Sequence, residues 1–138
     1  MAGRTHRSAI DPAEIDPDLL PHLFLIDTLW ESGSATPRLR VRLTGTALDL
    51  AFGRSVKGRS LEEFLHGPRS AEVLDTFHTC ASNHAPVWMR QIVEIRNQPA
   101  RYVEGVAYHL DPDAICGGLI IGEMTAASPA SSFERRFL

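Results

Sequence analysis

Two rhythms of apolar residues alternate along this chain. Residues 22–30 (His-Leu-Phe-Leu-Ile-Asp-Thr-Leu-Trp) are almost continuously apolar, which predicts a buried strand. The stretch is bounded by Pro21 and by a loop of Glu, Ser, Gly, Ala, Thr and Pro at residues 31–37. Residues 38–43 then set Arg38, Arg40 and Arg42 against Leu39, Val41 and Leu43. That period of two predicts a half-buried strand, and the short loop before it predicts an antiparallel pair. Helical spacing takes over next. Thr44 or Thr46 caps a short helix whose inner face is Leu48, Ala51 and Phe52 and which Gly53 ends. Ser60 followed by Glu63 reads as a capping box opening a second short helix over residues 61–65. Pro68 opens the longest helix, residues 69–82, with Val73, Leu74, Phe77, Cys80 and Ala81 along one stripe. Residues 87–96 return to alternation, with Val87, Met89, Gln91, Val93 and Ile95 sharing a face. Strands at 101–110 and 115–124 follow, separated by turns at 97–99 and 111–113.

The predicted order is two strands, three helices, three strands. It implies an α+β domain: a five-stranded antiparallel sheet with three short helices inserted between strands 2 and 3. Such a layout encloses a cavity between sheet and helices, where small ligands sit. The domain is expected over residues 19–126. Residues 1–18 read as an arm with a short helical turn at Asp11-Pro12-Ala13-Glu14, and residues 127–138 as a C-terminal tail. The length of 138 residues suits one domain with a core of its own. A formal charge of -3 gives no attraction to nucleic acid or to an anionic membrane. No apolar run is long enough to span a bilayer, and no apolar segment follows the N-terminal arginines as a secretory signal would require. Cys80 and Cys116 are far apart in sequence, which fits two structural thiols in a reducing cytoplasm.

A family resemblance rests on Ile10-Asp11-Pro12-Ala13-Glu14-Ile15, Leu20-Pro21-His22-Leu23-Phe24-Leu25, Arg40-Val41-Arg42-Leu43-Thr44-Gly45-Thr46, Phe52-Gly53 and Gly58-Arg59-Ser60-Leu61. These segments resemble a PAS domain, of the PAS-like family common in alphaproteobacteria with Asp-Pro, Leu-Pro-His and Arg-Leu-x-Gly-Thr motifs. The resemblance covers roughly residues 7–125. It implies a PAS-like fold and a cytoplasmic sensory or interaction module, often a homodimer. It implies no defined cofactor and no catalytic residues.

Leu48, Phe52, Phe64, Phe77, His78 and Trp88 are the candidate pocket residues, and Arg40 and Arg42 the candidate contacts for an anion or partner, because guanidinium forks match carboxylate and phosphate. On an alternating strand the arginines also suit a solvated face paired with carboxylates such as Glu94 or Glu104. The helix carrying Cys80 lacks the Asn-Cys-Arg-Phe-Leu-Gln element of light-sensing flavin domains. His78 is the best-placed haem ligand, yet it stands at the edge of the apolar stripe, so neither haem nor flavin is supported by motif. His6, His22, His66, His84 and His109 show no paired spacing of the kind found on one helix, so no metal site is expected.

The leading expectation is a non-catalytic sensory or protein-interaction domain. It would bind a small molecule between sheet and helices and signal through a homodimer or a signalling partner, with Leu19, Leu20 and residues 133–138 as dimer contacts. The alternative is a cone-shaped enzyme of ketosteroid-isomerase type, for which Asp49, Glu94, Glu104 and Tyr108 are the available acid and base groups. A third reading is a scaffold whose cavity is fully packed.

Overall fold

This computed structural model describes residues 5–6, 16–66, 70–95, 99–123 and 133–138. A two-residue strand, β1 (Thr5–His6), comes first, and a single 3-10 turn at Leu20–His22 then leads into β2 (Leu23–Leu29). The antiparallel partner β3 (Arg38–Thr44) follows, with α1 (Thr46–Phe52) and α2 (Leu61–Phe64) directly behind it. The rest of the chain is β4 (Leu65–His66), α3 (Ser70–Asn83), β5 (Val87–Ile95), β6 (Arg101–Asp111), β7 (Ala114–Glu123) and β8 (Phe133–Phe137).

One sheet contains all the strands, its main path running β3-β2-β7-β6-β5-β4. The path therefore has six strands where the sequence predicted five. The sixth is β4, two residues at the end of α2 that pair with Ile95 and Glu94 at the far end of β5. Two further strands extend the sheet. β8 lies antiparallel on Val87–Gln91 of β5, and β1 lies parallel beside Leu110 and Asp111 of β6. Residues 133–137 were thus expected as tail and instead belong to the sheet. Their alternation is short and rich in arginine, so only pairing with β5 reveals them. The helical turn expected at residues 11–14, the opening of the long helix at Pro68 and Arg69, and most of the turn at 97–99 lie outside the described residues.

Alternation decides which face of each strand is covered. Leu39 and Val41 of β3 are buried while Arg38, Arg40 and Arg42 face water. Val87, Met89 and Gln91 of β5 are buried, and Trp88 and Arg90 lie on the other side. α3 buries Val73, Thr76, Phe77, Cys80 and Ala81, the i, i+3, i+4, i+7, i+8 stripe of a helix lying on a sheet. Val73, Phe77, Cys80 and Ala81, with Phe24, Ile26, Leu48, Val56, Leu61 and Phe64, belong to one core between sheet and helices. A second, smaller cluster of Leu110, Ala114 and Cys116 packs with Leu25 and Tyr108.

The cap of α1 differs from expectation. Gly45 occupies it, with no side-chain cap bond, while the Thr44 hydroxyl donates to Asp49 Oδ1 at 2.5 Å. Gly45 is required by close approach: a Cβ there would fall on the Leu20 and Pro21 carbonyl oxygens. Gly53 ends α1 in the left-handed region, φ 75°, as a C-terminal glycine does. Ser60 does cap α2 by position, but its side chain makes no cap bond.

Candidate functional site

The inner face of the sheet and the three helices converge on one apolar cavity of about 60 Å³. Phe24 and Ile26 come from β2, Val41 and Thr44 from β3, Leu48 and Phe52 from α1, and Phe64 from α2. Phe77 of α3 closes the top, its ring edge-on to Phe24 with centroids 5.9 Å apart. Phe52 and Phe64 meet at the same centroid distance, tilted by 53°. Such aromatic contacts fix the wall geometry beyond simple area burial. Ligand pockets for drug-sized molecules are about 300–1,000 Å³, so the cavity has room for only a few heavy atoms. A haem or a flavin does not fit these walls.

Four of the six residues expected in the pocket line it together: Leu48, Phe52, Phe64 and Phe77. His78 and Trp88 do not. His78 follows Phe77 by one residue, about 100° round the helix, and its Nε2 lies 4.0 Å from Glu62 Oε1 of α2. Trp88 alternates with the buried Val87 and Met89, so it emerges on the opposite face, under the guanidinium groups of Arg90 and Arg136.

Gln91 was not expected to matter, and it is the polar feature of the cavity. It is buried at 3% exposure in the wall, in register with Val103 of β6 and Phe133 of β8. Among the described residues its Oε1 has no hydrogen-bond partner. The signal was in the sequence: a glutamine in phase with Val87, Met89 and Val93 on the covered face of a strand. The cavity wall carries no Asp, Glu, His or Tyr among the described residues. The acid and base of an isomerase are therefore absent from it. Asp49 is held by Thr44, Glu104 accepts from the Tyr102 hydroxyl at 3.4 Å, and Tyr108 packs in the second cluster.

Two arginines of β3, Arg40 and Arg42, are engaged within the chain. Arg42 Nε donates to both carboxylate oxygens of Asp27 at 2.9 and 2.8 Å, and Arg40 stands 3.8 Å from the same group. Asp27 is buried on β2, directly across from Arg40 in the ladder. The carboxylate beside these arginines is that of Asp27, where the sequence pointed to Glu94 or Glu104. An Asp inside an apolar run signalled it, because a buried carboxylate needs a cation or donors beside it. The Asp27 carboxylate holds the Arg42 guanidinium above its usual pKa.

Both thiols are free and buried. Burial pushes the Cys80 thiol up to about 11, and burial beside Cys116 pushes the Tyr108 phenol up to about 12. Desolvation raises Cys116 as well. None of these groups is poised as a nucleophile.

A separate polar cluster lies where α3 hands over to β5. His84 sits in that turn with φ 54° and stacks on His109 of β6, rings 4.0 Å apart and 10° from parallel. His109 Nδ1 is 3.4 Å from Asp111 Oδ1, two residues further along the same strand face. Spacing in sequence could not show this, since 25 positions separate the two histidines (109 minus 84). The fold brings together donors that the sequence reading had set aside.

A family model described as a PAS domain matches residues 2–105, more than half of the chain. The chain belongs to the PAS domain family. Members are sensory or interaction domains and are generally non-catalytic. No curated protein and no solved structure matches. No helix among the described residues is long and apolar enough to cross a membrane.

Proposed function

We propose that this chain is a non-catalytic sensory domain that takes a small, mostly apolar molecule carrying one hydrogen-bond donor into the cavity between sheet and helices. The unpartnered Gln91 Oε1 carries this reading. A buried polar atom without a partner costs about 1–3 kcal/mol, and a donor on a ligand would recover that cost. A trapped water suits the site poorly, because ordered water needs two to four polar partners. Here Gln91 and Thr44 are the polar wall residues, and the Thr44 hydroxyl already donates to Asp49. A small alcohol or amide with a short apolar body matches both the donor requirement and the volume.

Two probes with the same atoms test this. 1-Butanol has a hydroxyl donor, and diethyl ether, of identical formula, has none. In an NMR titration butanol is expected to shift the Gln91 side-chain amide and the cavity methyls at lower concentration than the ether. Replacing Gln91 by Met should abolish the difference. Equal response to both probes in the wild-type chain, or no response at the cavity, would sink the reading.

Output by self-association is supported by the outer face of the sheet. Val106 and Ile120 are 45% and 70% exposed there, in neighbouring strands, with Gly118 paired to Val106. Leu19, Leu20, Phe137 and Leu138 add exposed apolar surface.

A further inference from the structure

We propose that His84, His109 and Asp111 form a binding site for a divalent transition-metal ion of the zinc class, outside the ligand cavity. Each residue offers one ligand atom, and the three atoms lie within 4.8 Å of one another. Two imidazole nitrogens and one carboxylate oxygen are the donor set that zinc and its borderline neighbours prefer over magnesium or calcium. Three protein donors leave at least one coordination position for water or an exogenous ligand.

The three residues differ in freedom, and the difference suits assembly of a site. His109 is buried, its side chain 5% exposed, on the long central strand β6. Asp111 shares its strand face and stands within 3.4 Å, so these two donors are held by the sheet. His84 is partly exposed in a turn with a left-handed backbone, between the last residue of α3 and the first of β5. It is the donor that can move.

Movement is required. Imidazole lone pairs lie in the ring plane, so two rings stacked face to face cannot share one ion. Tetrahedral zinc, with bonds of about 2.0–2.1 Å, separates its donors by about 3.3–3.4 Å. The present spacings, all within 4.8 Å, must close by up to roughly 1.5 Å to reach that geometry. Swinging the His84 ring out of the stack achieves this without displacing β6. Metal binding therefore unstacks the histidine pair and ties the end of α3 to the end of β6. At that same end β1 pairs with β6, and its His6 is in register with Asp111.

The test uses the untagged full chain. Zinc sulfate titrated calorimetrically after chelator treatment is expected to bind one ion per chain and to raise the melting temperature. Cobalt(II) is expected to give the visible absorption of a low-symmetry four- or five-coordinate ion, and UV difference spectra should report the change in imidazole environment. His84→Ala, chosen because His84 is partly exposed and its loss should leave the fold intact by circular dichroism, is expected to weaken zinc binding by about tenfold to a hundredfold. Asp111→Asn should weaken it in the same direction, while His78→Ala, on the far side of α3 beside Glu62, should leave it unchanged. Absence of stoichiometric zinc binding in the wild-type chain overturns the proposal. So does a folded His84→Ala variant that binds zinc as tightly as wild type.

Discussion

Gln91 shows how one side chain can divide stability from function. Its amide is shape-compatible with methionine, yet it leaves a buried acceptor without a partner among the described residues. Replacement by Met removes that defect while keeping the volume. We expect Gln91→Met to be more stable than wild type by about 1–2 kcal/mol in urea denaturation, within the range for an unsatisfied buried polar atom. A loss of stability instead would mean that Gln91 satisfies itself in solution. Asp27 and Arg42 carry the opposite lesson. The carboxylate is buried and the arginine half-exposed, so removing the arginine strands a charge inside, while removing the acid returns a cation to water. Asp27 was visible in the sequence as a polar position inside an apolar run, Gln91 as a polar residue in phase with the covered face of β5, and Arg42 as the polar side of an alternating strand. What the sequence withheld was the partner, because cross-strand register is set by long-range pairing and not by local spacing.

Elements with strong periodicity were legible one by one. α3, the first part of β3 and the start of β5 follow their patterns, with Leu39, Val41, Val87, Met89 and the α3 stripe buried, whereas Leu43 at the end of β3 is exposed. β4 and β8 were not legible, for a physical reason. Two residues carry no period, and β8 (Phe-Glu-Arg-Arg-Phe) is stabilised by its neighbour and not by its own pattern. Phe133 packs on the core, and Arg135 reaches Asp75 Oδ2 at 2.7 Å and Thr76 Oγ1 at 3.0 Å on α3. The ion pair is exposed and of the kind worth only about 0–1 kcal/mol. Backbone pairing and Phe133 therefore carry most of the docking. Truncation before Phe133 is expected to speed hydrogen exchange of the Val87–Gln91 segment by about tenfold or more, whereas Arg135→Ala should leave it nearly unchanged. If both variants behaved alike, the arginine contacts and not the strand would hold β8.

At the scale of the whole molecule, buried acids set the alkaline limit. Cys80 and Tyr108 are held protonated by burial, at about 11 and about 12 against ordinary values of 9.0 and 10.0. Above pH 9 the unfolded chain gives up protons that the folded chain keeps. The unfolded state then binds fewer protons, and stability falls as pH rises. The loss belongs to pH 9–11 for the thiol and pH 10–12 for the phenol. The urea midpoint should therefore decline from pH 9 upward, and Tyr108→Phe should decline less steeply above pH 10. Equal slopes for the two proteins would show that Tyr108 does not contribute. The cavity, by contrast, has no titrating group among its described wall residues, so ligand uptake should be flat across the neutral range apart from this global effect. The placement of β1 and β8 has a topological consequence. β1 occupies the ladder position beyond the start of β5, and β8 ends beside that start, with the Leu138 amide donating to the Pro86 carbonyl at 2.7 Å. From strand spacing and rise, Thr5 and Phe137 lie roughly 11 Å apart along one corner of the sheet. The two outlying strands therefore share one corner of the sheet, with the start of β5 between them, so a change in that start reaches both.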